Sequence, residues 1–294
     1  MFEPTLQSVY SAYRQKDFQD WFVVDNCYDP YTRNKNLTYI REHGITKIWS
    51  KDDDISYLQE LPHTEAVRCS RESVHLDTLY TLPHLKILSL ETDDASFDFS
   101  KLSSKLSYLL TKFEKKNKSW QNHSSIIGLT LQDYETDDFS WANGYANSQQ
   151  IRVLQVECSF RKFKSCRGLH AFANLEFLNL DYCRQLEDID DLYALSHLRV
   201  LHWHDNPKIA EFHFEALTSL EELYLIDKEV EHPKKLPSVS FVKLLPKLKV
   251  FHTNRIIQDG DLSPLLSLED VDIFQDRKNY NVRQTDLPGY HKTT

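Results

Sequence analysis

The chain has 294 residues, 40% of them apolar, and a formal net charge of −9. An acidic chain does not suit a phosphate backbone or an anionic membrane as its main partner, because both require a basic surface; a basic protein is expected instead, with no direct nucleic acid and no membrane. No stretch reaches the length of a membrane span, and the five cysteines (Cys27, Cys69, Cys158, Cys166 and Cys183) form neither a CxxC pair nor a disulfide framework, which points to a reducing cytoplasm.

Residues 1–44 carry no repeat. Tyr10, Tyr13, Phe18, Trp21 and Phe22 are mixed with charges, Asp29 and Pro30 mark a turn, and Met1 is followed by Glu3 and Pro4 rather than by a basic segment and an apolar core. The segment reads as an N-terminal cap over the first open sheet edge. From residue 45 to residue 275 the pattern predicts a solenoid of about ten rungs, with strands starting at Ile45, Thr64, Leu85, Ile126, Ile151, Leu175, Leu198, Leu220, Leu248 and Leu268. In each, the first, fourth and sixth places point inward, as with Leu85, Leu88 and Leu90, while the places between point outward.

Upstream of the strands, Leu76, Leu79, Leu82 and Leu85 are three apart, as are Leu192, Leu195 and Leu198, a step that suits short 3₁₀ or helical returns. The 41 residues between Leu85 and Ile126 predict a helical insertion near residues 96–118, since Leu102, Leu106, Leu109, Leu110 and Phe113 keep helical spacing. Lys112, Lys115, Lys116 and Lys118 then read as the solvated end of that helix rather than as a nucleic-acid patch. Pro233 and Pro237 mark a loop between Leu220 and Leu248. Residues 276–294 are polar apart from the stretch Leu287, Pro288, Gly289 and Tyr290, and read as a C-terminal cap and tail.

The repeat is clearest from Phe172 to Leu225. Leu175, Leu178, Leu180, Cys183 and Leu186 spell LxxLxLxxCxxL, Leu198, Leu201, Trp203, Asn206 and Ile209 spell LxxLxWxxNxxI, and Leu220, Leu223 and Leu225 begin a third copy, at spacings of 23 and 22 residues. On these motifs the chain resembles the leucine-rich repeat family, in the short class found in phosphatase regulators and bacterial internalins. The resemblance implies an α/β repeat solenoid, a horseshoe with a parallel β-sheet on its concave face and short helices or 3₁₀ turns on its convex face. It also implies a module that binds another molecule. Cys183 stands where the family has Asn or Cys, a place where a small polar side chain lets successive turns hydrogen-bond, as Asn206 should one rung later. A reactive thiol is the other reading of Cys183.

The six glycines are too scattered for a phosphate loop, and no GxSxG elbow or HExxH pair occurs, so neither an enzyme nor a cofactor is expected. Outward places supply the candidate partner-binding residues. One column holds Asn179, His202, Tyr224, His252 and Asp272; its neighbour holds Glu157, Asp181, His204, Ile226, Asn254 and Phe274, with Asp205 and Asp227 one residue further on and Phe177 and Asp270 on the same face. Aromatic anchors ringed by charge are the composition of a protein-binding surface. His202 and His204 could instead ligate zinc, but side chains two apart on a flat strand stand about 7 Å from each other, so they read as polar contacts and no metal is expected.

The sequence therefore predicts a non-catalytic cytoplasmic module, a monomer when free, that binds a basic protein. In architecture and charge it is similar to the immunity proteins of bacterial contact-dependent growth inhibition and related toxin systems. That likeness implies an antitoxin that neutralises a nuclease toxin by occluding its active site. A regulatory or scaffolding subunit of a cellular enzyme such as a phosphatase is the alternative, and a metal-dependent hydrolase built on His202, His204 and Asp205 is a third reading.

Overall fold

Inward leucines from successive repeats stack in ranks, and the short strands that carry them run parallel in chain order. The computed structural model describes residues 21–25, 28–92, 94–113, 117–158, 162–206, 208–209, 212–228, 233–273 and 276–290. Two units divide the chain, Met1–Gln132 and Asp133–Thr294.

In the first unit, β1 (Phe22–Val24), β2 (Lys47–Ser50), β3 (Ala66–Arg68), β4 (Ile87–Leu90), β5 (Tyr108–Lys112) and β6 (Gly128–Gln132) each pair in parallel with the next. The pairing sets Ile48, Val67, Leu88, Leu109 and Leu129 side by side, all of them buried. Ahead of β2 lies α1 (Pro30–Glu42). The Asp29 carboxylate accepts from the Thr32 backbone N–H at 2.8 Å, and Pro30, whose missing N–H costs nothing in a first turn, opens the helix. Leu37 and Ile40 are its buried residues, and Gly44, with φ of +60°, follows its end.

The structure corrects the sequence between Leu85 and Ile126, where it has the extra strand β5 in place of the predicted helix. Leu106 lies 21 residues after Leu85 and 20 before Ile126, so the interval holds one complete rung. Two periods are superposed there. Leu102 closes a 3₁₀ turn over Phe99–Lys101, while Leu106, Leu109 and the buried Thr111 take the inward places of the strand. Leu110 points outward. Tyr108, two places before it in the same strand, explains Gly128: a Cβ there would run into the Tyr108 ring.

The second unit contains β7 (Val153–Glu157), β8 (Phe177–Asp181), β9 (Val200–His204), β10 (Glu222–Ile226), β11 (Lys235–Leu236), β12 (Val250–Thr253), β13 (Ile256–Ile257) and β14 (Asp270–Ile273). β11 and β13 pair with each other beside the loop that Pro233 and Pro237 mark, and the other six form one parallel sheet. Leu154, Leu178, Leu201, Leu223, Phe251 and Val271 form its buried inward rank. At the last strand the Val271 N–H donates to Pro288 O at 2.9 Å, Leu287 is buried, and a Cβ on Gly289 would meet Asp270 Oδ1 at 2.2 Å. Gln284, which donates to Ile273 O, and Pro288 thus tie this segment to β14 and Leu287 is buried, while Thr285, Asp286, Gly289 and Tyr290 stay exposed.

The three-residue leucine step is a 3₁₀ step. The N–H groups of Leu195, Leu217 and Leu265 bond to the carbonyls of Leu192, Phe214 and Leu262 at 3.2, 2.8 and 2.9 Å, so residues three apart share one edge. Five of these turns begin on aspartates: Asp54, Asp98, Asp138, Asp188 and Asp261 each accept the N–H two residues ahead at 2.8–3.1 Å. Asparagines tie rung to rung, with Asn206 Oδ1 accepting from the Cys183 N–H at 2.7 Å and Nδ2 donating to Leu180 O at 2.9 Å. Among the described residues no helix is long and apolar enough to cross a membrane.

Candidate partner-binding face

The outward side chains of the second unit fall in three ranks, because parallel strands in register place equivalent residues beside one another. Phe177, Val200, Glu222, Val250 and Asp270 form the first, Asn179, His202, Tyr224, His252 and Asp272 the second, and Glu157, Asp181, His204 and Ile226 the third. The register therefore sets the predicted column of five side by side.

Rings dominate the middle of this face. The His202 ring lies 4.1 Å from Tyr224 and 5.2 Å from Phe177 between centroids, and Tyr224 meets His252 edge-on at 5.0 Å. Carboxylates hold two of these rings: the Tyr224 hydroxyl donates to Glu222 Oε2 at 2.9 Å, and His252 Nε2 lies 3.0 Å from Asp270 Oδ2. Next to it, the Asp181 carboxyl is pushed up to about 6, chiefly by burial and then by the negative charge of Glu157 in the adjacent rung. A cationic group brought to this spot would meet a carboxyl held partly protonated only by its surroundings.

Burial separates the predicted residues into two sets. Glu157, Asn179, Asp181, His204, Tyr224, Ile226, His252 and Asp270 are half-buried and Asp272 is exposed. Phe177 and His202, expected to stand in solvent, are only 2% and 4% exposed, with the two rings packed on each other. Asp205, Asp227 and Asn254 are also buried, and each serves the turns beyond the strands. Asp205 takes Arg184 Nε at 2.8 Å; Asp227 takes Arg255 Nε at 2.9 Å with Lys234 Nζ at 3.6 Å; Asn254 Oδ1 accepts from the Asp227 N–H at 2.9 Å. Phe274 lies outside the described residues. With Asp205 turned to Arg184, the trio His202, His204 and Asp205 lacks its acid, and no three His, Cys, Asp or Glu among the described residues are grouped to hold a metal ion.

One feature escaped the sequence reading. The second place of six successive rungs alternates in sign: Arg152, Glu176, Arg199, Glu221, Lys249 and Glu269. Arg152 pairs with Glu176; Arg199 reaches Glu176 at 3.4 Å and Glu221 at 2.8 Å; Lys249 lies 3.5 Å from Glu269. The ladder borders a cleft of about 530 Å³ that Asn174, His197, Ser219 and Lys247 also line. Reading one repeat position down the array, rather than along each strand, would have exposed it.

One parallel strand per repeat, 3₁₀ returns and asparagine bridges together make the chain a leucine-rich repeat solenoid. No family model matches the chain and no curated protein matches it. Among solved structures it is similar to the internalin InlF of Listeria monocytogenes, at 18% identity over 79% of this chain and 73% of that one, with a TM-score of 0.46. It is similar also to TLR13 in its complex with ssRNA13, at 17% identity over 78% of this chain and 38% of that one, with a TM-score of 0.47. Internalin C2 of Listeria monocytogenes matches at 18% identity over 69% of this chain and 76% of that one, with a TM-score of 0.39.

Proposed function

We propose that the chain is a protein-binding module whose outward sheet face in the second unit receives a basic partner. The in-register rank of Asn179, His202, Tyr224, His252 and Asp272, flanked by Glu157, Asp181 and Asp270, carries this reading. Flat rings supply contact area at little cost in side-chain freedom, while carboxylates beside them steer and select a cationic surface. The specific form proposed is a bacterial immunity protein acting in the cytoplasm, which covers the active site of a basic nuclease toxin by placing carboxylates where the substrate's phosphates would lie.

The test is to look directly upstream of this chain's gene for a large toxin gene, the neighbour an immunity gene should have, and to co-express that toxin's nuclease domain with this chain. The chain should protect the cells and co-elute with the toxin, and Tyr224→Ala combined with Asp272→Ala should weaken the complex at least about tenfold, as loss of an interface anchor does, while the chain still folds. Absence of a complex with such a toxin refutes the immunity reading. A complex that the double variant leaves undiminished refutes the face.

A further inference from the structure

Cys158 and Cys183 sit on adjacent rungs, 25 residues apart in sequence, with their sulfurs 3.0 Å from each other and both side chains buried. Their backbones are pinned: the Cys158 N–H donates to Asp181 O at 2.9 Å, and the Cys183 N–H donates to Asn206 Oδ1 at 2.7 Å. A bonded pair of sulfurs stands about 2.05 Å apart, so closure asks for a movement of roughly 1 Å. The packing role of a small residue at this place explains one cysteine. It does not require a second thiol facing it from the next rung.

We propose that Cys158 and Cys183 are a dithiol site that closes into a reversible disulfide on exchange with a small-molecule disulfide. One protein thiol, deprotonated, attacks a sulfur of oxidised glutathione and expels a glutathione thiolate. The second protein thiol, deprotonated in turn, attacks the protein-side sulfur of the mixed disulfide and expels the other glutathione. Two protein thiols are oxidised to one disulfide, one glutathione disulfide is reduced to two thiols, and the two protons pass to the two leaving thiolates. Burial raises the Cys183 thiol well above its ordinary value, so thiolate is scarce and exchange proceeds through local opening of the rung. The site is thus a slow lock between the rungs of β7 and β8, one residue past Glu157 and two past Asp181, and it stands whether or not that face binds a partner.

The experiment equilibrates the folded, full-length chain with a glutathione redox buffer until successive samples agree, then blocks free thiols under denaturing conditions and maps the peptides by mass. Two of the five cysteines should be lost to labelling, recovered by dithiothreitol, and found in one linked peptide pair holding Cys158 and Cys183. The oxidised chain should melt several degrees higher, because the link closes a loop of about two dozen residues in the unfolded chain. Cys166→Ser should leave the result intact, whereas Cys183→Ser should abolish it. Five labelled thiols at equilibrium, glutathione adducts without a protein disulfide, or a link through Cys166 would overturn the proposal from the wild-type chain alone.

Discussion

Replacing Asp181 by Asn should stabilise the second unit at pH 8 and do nearly nothing at pH 4. The folded chain holds this carboxyl at about 6 against an ordinary value of 3.8. Below 3.8 the group is neutral whether the chain is folded or not, and it costs nothing. Between 3.8 and about 6 the unfolded chain gives up the proton while the folded one keeps it, so stability falls with rising pH; above about 6 the full penalty is present. At about 1.4 kcal/mol for each tenfold change in ionisation, the penalty is at most about 3 kcal/mol, and solvent screening of a half-buried side chain leaves about 1–2 kcal/mol. Asn keeps an oxygen for the Tyr182 N–H and removes only the charge. For a unit of this size the gain corresponds to about 3–6 °C in melting temperature. Thermal melts of both chains across pH 4 to 8 read it directly. A gain that is the same at every pH, or a loss at pH 8, would show that the carboxylate is comfortable where it lies. The same variant should bind a basic partner more weakly, the trade expected where a site keeps a strained charge for use.

Arg255→Leu leaves the Asp227 carboxylate buried with its main partner gone, since the two side chains are 2% and 1% exposed, and should cost about 3–5 kcal/mol in urea unfolding; adding Asp227→Asn should recover part of the loss. Arg199→Glu sets three carboxylates in a row with Glu176 and Glu221, and the two ion pairs it breaks are partly exposed, so the loss should be about 1 kcal/mol and shrink as salt is added. Acid should destabilise the chain through its turns. The Asp98 carboxyl is held below its ordinary value by the Ser100 hydroxyl, and Asp54 chiefly by the Ser56 N–H, so their contribution is present above the usual carboxylate range and is lost as pH falls through the depressed values. Melts below about pH 4 should show that fall, and Ser100→Ala should reduce it.

Ten strands were legible because each carries its own inward leucines or their equivalents, and a rank of buried side chains leaves little freedom in where a strand begins. β5 was not. Thr111 fills its sixth place and Leu110 faces outward, so the apolar residues run 102, 106, 109, 110 and 113 and imitate a helix. α1 and β1 were lost for a different reason. Asp29 and Pro30 mark a turn and a helix start equally well, α1 buries only Leu37 and Ile40, and β1 is three residues long. Period alone decides an element only when enough of its residues are apolar.

The division between inward and outward places survives at the face because alternation belongs to the strand itself. Burial does not, since it depends on what the neighbouring rung puts beside a residue. Phe177 loses its exposure to packing that includes His202, and Asp205 and Asp227 are claimed by arginines more than twenty positions away in the chain. The same distinction governs the net charge. Many carboxylates that make the chain acidic begin 3₁₀ turns or alternate with arginine and lysine along the ladder, and these cannot act on a partner as unpaired charge. The field at the face then rests on Glu157, Asp181, Glu222, Asp270 and Asp272, so attraction of a basic protein should follow those five positions rather than the charge of the whole.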